Sequence, residues 1–376
     1  MCAAVRLAIG GLDVLVLEDR CVGAGATGRS SAKVSVLHEL HASNIARRDG
    51  DTTAHQYIDA NKAGFDWISQ QVEHSGIDCD WETKTAVTYV TNRSNAHRVE
   101  EERRVLEAGG VTARLTAPSL PFSTVAGVAV EDQAQFDPVR FLGGLRQQFG
   151  ANGGSVHSGV CATGVRDGRR IATVMTDAGP IECRWVIAAT GLPFLDRGLF
   201  FARAEPQTSY TIAVDIETDL PDGMFLSADG PTRSLRTART TNDDEVLLVG
   251  GEGHKTGQGG NTLKNYQRLA RWTDEMFGVR EITHRFSTQD YITPDQRPLV
   301  GPIHCGPTRV LVMTGFNKWG FTNAAAGAEV VAATVSRSTL PAWAPVMATD
   351  RIGLSGAGDL IDANVNVAAH MAGSWI

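Results

Sequence analysis

Three groups of residues have the types and spacing to act on a ligand. The first begins with the apolar run 12–17, which Glu18 closes with a carboxylate. Continuous apolarity suits a parallel strand buried on both faces, and an acid at the end of such a strand can bond the ribose hydroxyls of a dinucleotide. The other reading of Glu18 is an exposed residue ending an ordinary strand. Just beyond it, residues 23–35 gather Gly25, Thr27, Gly28, Arg29, Ser30, Ser31 and Lys33. Small residues let backbone approach a ligand, and amides, hydroxyls and a cation can then converge on phosphate. A flexible connector is the alternative there. The second group is the glycine knot 250–260 with His254 and Lys255, which lacks the Gly-Lys-Thr register of a P-loop. Both side chains read equally as exposed turn residues. The third is a strand at 309–314, a turn bounded by Gly315 and Gly320, and an Ala-rich helix at 323–335. That order aims a helix N-terminus at whatever lies above the strand end and favours an anion there. Trp319 reads as a ligand contact or as a core anchor.

The elements that must position these groups are legible in coarse form. Residues 1–9 have helical spacing and stop at Gly10-Gly11. Helix, glycine turn, buried strand and closing carboxylate make the second half of a dinucleotide-binding βαβ unit. The glycine fingerprint of such a unit belongs about 20 residues before the carboxylate, and the chain is too short there to hold it. The expectation is therefore a chain that starts inside its own first helix, with a central strand missing. Such a loss leaves two strand edges unpaired, and the expected consequence is a protein that is unstable or poor in its dinucleotide. Residues 52–72 and 99–108 read as helices, 81–91 and 125–130 as strands. Asp137 and Pro138 are the N-cap and first residue of a helix to about Phe149. Strand patterns recur at 153–165 and 185–191, then at 210–216, 223–226, 232–239 and 245–249, followed by an amphipathic helix at 263–276. Arg233 and Arg236 share one strand but are three apart, so they point to opposite faces and only one can face a ligand.

Composition narrows the partners. The 376 residues are 42% hydrophobic and 20% charged, which excludes disorder and suits two domains. A net charge of −7 with no basic stripe argues against nucleic acid. The six cysteines form no Cys-x-x-Cys pair and have no spacing with His that suits zinc, so no metal site is expected. No stretch approaches 18 apolar residues, and the first 17 residues make a poor secretion signal. The expectation is a cytoplasmic protein with reduced thiols and no membrane partner.

The run 12–35, LDVLVLEDRCVGAGATGRSSAKVS, resembles the amino-terminal region of FAD-dependent oxidoreductases of the D-amino-acid oxidase and glycine oxidase superfamily. It is most similar to a bacterial branch whose members sometimes carry a carboxy-terminal Rieske domain. The segment 310–326 matches the same superfamily. The resemblance implies FAD as cofactor, with Val160 laying its backbone against the adenine and Thr190-Gly191 ending a strand at the cofactor. It also implies that the turn carrying Gly315, Lys318, Gly320 and Thr322 meets the isoalloxazine. Lys255 is then a candidate for the cation that assists oxygen reduction, and Arg236, or Arg233, for the clamp on a substrate carboxylate. The Cys-x-His and Cys-x-x-His pairs of a Rieske cluster do not occur in the sequence.

The expected fold class is α/β, α+β overall. A Rossmann-like FAD-binding domain lacking its first strand (1–75, 146–200, 290–340) pairs with a substrate domain built on a largely antiparallel sheet (76–145, 201–289). A tail of weak helical character, 341–376, follows. The leading expectation is hydride removal from the carbon beside an amine or amino acid nitrogen, with oxygen or a separate electron acceptor. The alternatives are an FAD dehydrogenase of a hydroxy acid or polyol, and a non-catalytic flavoprotein remnant.

Overall fold

A computed structural model describes residues 1–195, 197–303 and 308–351. Helix α1 (Cys2–Ile9) leads through Gly10-Gly11 into β1 (Leu15–Glu18), and the loop beyond it into the two-residue strand β2 (Lys33–Val34). Helices α2 (His41–Asp49) and α3 (Asp51–Ser75) follow, then β3 (Glu82–Val90), α4 (Ala96–Ala108), β4 (Arg114–Thr116) and β5 (Ala126–Gln135). Helix α5 (Pro138–Ala151) starts where expected: the Asp137 carboxylate accepts from the Val139 and Arg140 amides at 2.7 and 2.9 Å. Strands β6 (Ser155–Ser158), β7 (Ala162–Asp167), β8 (Ala172–Thr176), β9 (Gly179–Cys183) and β10 (Val186–Ala188) come next, then the short helix α6 (Phe200–Arg203). The remainder is β11 (Glu205–Ile216), β12 (Met224–Ser227), β13 (Arg233–Arg239), β14 (Glu245–Lys255), α7 (Thr262–Phe277), β15 (Val279–Ile292), β16 (Leu299–Pro302), β17 (Val310–Thr314) and α8 (Gly320–Ser336).

These elements make a mixed α/β fold with a Rossmann-like part and a sheet-rich part. In the first, β1 pairs in parallel with β6, and β10 pairs in parallel with β17, which also carries β16. The two groups share no hydrogen bond among the described residues, so one edge of β1 and one of β10 stay unpaired. In the second part nine strands run in the order β15-β11-β14-β13-β12-β3-β5-β2, with β4 beside β5. Helix α8 is buried almost all round because its Ala, Gly and Val residues are small enough to fit between helices and strands. At its start, Gly64 of α3 lies so close that a Cβ there would fall 2.1 Å from the Thr322 carbonyl oxygen.

Three differences from the sequence reading have physical causes. The glycine knot is partly strand: β14 continues to Lys255, because Gly250, Gly251 and Gly253 fit a crowded central strand without side chains. Strand β15, unforeseen, is an edge strand with no fully buried residue and no clean alternation. The weak helical character after residue 340 resolves to a 3-10 turn at Ala344–Met347, and residues 352–376 lie outside the described part.

Candidate active site

A single cavity of about 2230 Å³ runs from the unpaired edges of β1 and β10 to the face of the nine-stranded sheet. That exceeds roughly twice the upper volume of an ordinary small-molecule pocket, about 1,000 Å³. At one end Glu18 sits on the rim, its carboxylate accepting from the Arg20 amide at 3.2 Å and its carbonyl from the Val160 amide at 3.1 Å. Burial, reinforced by Asp19, holds the Glu18 carboxyl above its ordinary range. Gly25, Thr27, Arg29, Ser30 and Ser31 line the adjoining wall. Gly28 supports that wall from behind, for a Cβ on it would meet the Gly23 carbonyl oxygen at 2.1 Å. Thr190 and Gly191 line the opposite side after β10, with the Thr190 hydroxyl donating to the Leu192 carbonyl at 2.7 Å.

The other end is built from two strained segments that meet. Glu39 has φ +57°, and Asn317 and Lys318 have φ +53° and +68°, a region non-glycine residues seldom occupy. The rings of His38 and Trp319 stack between these segments, 4.2 Å apart at 15°. The His38 Nε2–H donates to the Ser35 carbonyl at 2.7 Å, which leaves Nδ1 to accept from the Tyr57 hydroxyl at 2.7 Å. Burial keeps this imidazole neutral, with its pKa pushed well down. His41, three residues further along and facing the cavity, is pushed down to about 4 by burial and by the nearby Lys318 charge. Helix α8 begins here at Gly320, with no side chain capping its first amides.

The sheet supplies the floor. Ser209, Thr211, Ser234, Gly250 and Gly253 leave it nearly bare of bulky groups. Lys33 reaches in from β2, its ammonium donating to the Phe225 carbonyl at 2.6 Å and to the Ser234 hydroxyl at 2.8 Å. Burial and the neighbouring Arg236 push its pKa well below the ordinary lysine value. Lys318 lies above, its ammonium 3.2 Å from where a Gly253 Cβ would stand. Behind the floor, Glu252 binds Arg233 at 2.7 Å and Arg268 at 2.6 Å.

The structure thus gathers most of the residues singled out from sequence, Lys33, Val160, Lys318 and Gly320 included, around one cavity. Five stand outside its wall. Gly28 and Gly315 shape the turns behind it, and Thr322 is buried with its hydroxyl 3.2 Å from His38 Nε2. Lys255 is held 2.8 Å from Glu205, and Arg236 is buried where it donates to the Thr237 and Phe136 carbonyls. Glu39, His41 and Asp290 were not foreseen. Each is an isolated polar residue, Glu39 in an irregular segment, His41 at the start of α2 and Asp290 on an edge strand, with no motif to mark it.

The comparisons agree with this architecture. Residues 1–334 match the family described as FAD dependent oxidoreductase. The chain is 30% identical over 371 residues to the Bacillus subtilis (strain 168) protein described as Rieske 2Fe-2S iron-sulfur protein YhfW, spanning 98% of this chain and 72% of that one. Among solved structures it is similar to glycine oxidase from Geobacillus kaustophilus (TM-score 0.75, 15% identity, 94% of this chain and 96% of that one). It is also similar to L-proline dehydrogenase from P. horikoshii (TM-score 0.74, 17% identity, 90% and 91%). At those identities the likeness shows the shared fold. The family match over most of the chain shows more: this protein belongs to the FAD dependent oxidoreductases.

Proposed function

We propose that this protein oxidises an amine or amino acid by removal of a hydride from the carbon beside the nitrogen. The residues present fit the cofactor of the family. The Gly28 close approach, the hydroxyls and Arg29 of the 25–31 wall, and the uncapped start of α8 are suited to a ligand with phosphates and a ring that becomes anionic. FAD, when bound, supplies a hydride acceptor at N5.

The observation that carries the substrate class is the charge pattern at the sheet end. Lys33 and Lys318 face the cavity without a carboxylate within 4.0 Å, and Glu39 and Asp290 face it with no hydrogen-bond or ion-pair partner among the described residues. A substrate with an ammonium, alone or beside a carboxylate, finds complementary charge in that wall. A hydroxy acid would offer those two carboxylates one neutral hydroxyl donor and no positive charge, which disfavours the hydroxy-acid reading. The protein's own work is then to position the substrate between floor and Trp319, and to exclude water.

Anaerobic titration of the FAD-loaded protein with a panel of amino acids, simple amines and 2-hydroxy acids tests this. Loss of visible flavin absorbance with amino compounds alone is expected. Bleaching by hydroxy acids alone would sink the reading. Peroxide release in air then separates oxygen from another acceptor.

A further inference from the structure

Among the described residues, the carboxylates turned into the protein are saturated, with one pair of exceptions. Glu102 accepts from the Ser43 and Ala42 amides at 2.7 and 3.2 Å. Asp229 accepts from Thr91, Asn92 and Asn95. Asp295 is gripped by Arg297 and Arg351, and Glu252 by Arg233 and Arg268. Burying an acid without partners is costly, so this pattern is the expected one. Glu39 and Asp290 depart from it: both are half-buried, both line the cavity, and neither has a partner among the described residues.

Their placement is the work of the fold. The His38–Trp319 stack brings the next residue of one segment, Glu39, beside the preceding residue of the other, Lys318. Asp290 approaches from the edge strand β15, paired with Gln207, which lines the same cavity. The Lys318 charge is felt by Glu39, His41 and Asp290 alike, yet its ammonium contacts neither acid within 4.0 Å. A gap is left between the acids and their common counter-ion.

From this arrangement we infer that Glu39 and Asp290 form the seat for the substrate's ammonium, and that Glu39 takes its proton. The inference rests on the amine-oxidising reading and adds the residue that makes the nitrogen neutral. The step moves one proton and no electrons: R–NH3+ and the Glu39 carboxylate become R–NH2 and the Glu39 carboxylic acid. The nitrogen lone pair so freed can then assist departure of the hydride. Burial raises the proton affinity of Glu39, while Lys318 and Arg98 pull it back; the Glu39 charge in turn raises Glu102, and His41 faces Lys318 as a neutral ring. The balance suits a group that must be ionised when empty and protonated when occupied.

The test uses tert-butylamine, which carries no hydrogen on the carbon beside nitrogen and cannot be oxidised. Calorimetric titration of the full chain loaded with FAD, in two buffers of different ionisation enthalpy, reads affinity and proton count together. At neutral pH the wild-type protein is expected to bind the probe without releasing a proton to buffer. Glu39→Gln should bind roughly ten- to hundredfold more weakly, recovering as the pH approaches that of the free amine. Lys318→Met should bind more tightly, which a merely structural lysine would not do. No binding by the wild type, or an unchanged affinity and proton count in Glu39→Gln, would overturn the proposal. Probe binding that depends on Glu39, in a protein whose flavin no amino compound bleaches, would instead sink the amine-oxidising reading alone.

Discussion

Glu102 shows how a single buried acid couples this fold to pH. Its carboxyl caps the start of α2 from a neighbouring helix, and burial raises it to about 7 despite the amides it accepts from. Because the folded value lies above the ordinary one of 4.5, its stabilising contribution is complete at lower pH and is lost as pH rises through about 7. Urea unfolding at pH 5 and pH 8 should therefore show the wild type losing on the order of 2–3 kcal/mol relative to Glu102→Gln across that range. The buried neutral His38 and His41 act in the opposite direction in both proteins; an equal pH dependence in the two would remove Glu102 as a contributor. Gly28 makes a different prediction. A methyl there must displace the Gly23 carbonyl oxygen, and overpacking of about 1–3 kcal/mol, felt in the phosphate-facing wall, would weaken FAD binding by roughly ten- to hundredfold. The flavin-to-protein absorbance ratio of Gly28→Ala after desalting reads this directly.

At the scale of elements, the crossing of α3 and α8 sets the active end of the cavity. Gly64 admits the Thr322 carbonyl against the α3 backbone, and Thr322, His38 and Tyr57 form the hydrogen-bonded cluster beneath Trp319. Gly64→Ala should cost about 1–3 kcal/mol by forcing the helices apart, measured as a lower thermal midpoint with a perturbed flavin spectrum. A drop in midpoint with an unaltered spectrum would show that α8 shifts without moving its first turn. Strand β14 illustrates the opposite use of glycine. Its three glycines are not a loop but a smooth patch of sheet, which leaves room for the Lys318 ammonium on one face and Arg233 on the other.

At the scale of the whole molecule, two parallel sheet fragments face each other across the cavity without a hydrogen bond between them among the described residues. A ligand spanning Glu18 and Gly191 would tie these fragments together. Ligand linkage predicts about 2.7 kcal/mol of added stability at a hundredfold excess over Kd. The thermal midpoint should climb with FAD concentration, and amide exchange should slow in β1, β10 and α1. A midpoint indifferent to FAD would contradict this placement.

The dinucleotide-type elements were readable because their signals are local. Continuous apolar runs mark β1 and β17, the Asp137-Pro138 pair marks the start of α5, and clustered glycines with hydroxyls mark the loop after Glu18. Each is a property of a few adjacent residues, set by backbone sterics and period. Burial, in contrast, depends on what packs from elsewhere. The charges of Lys255 and Arg236 were visible in the chain, but only the tertiary structure turned them toward Glu205 and toward backbone carbonyls. Glu39 and Asp290 are unremarked single letters in irregular and edge segments, and become a pair only because a stacked His–Trp contact and an edge strand carry them to one cavity. The sequence by itself determined the family and its cofactor, since both follow from local patterns. The tertiary structure decided which charges are free to meet a substrate, because charge pairing is settled by contacts between residues distant along the chain.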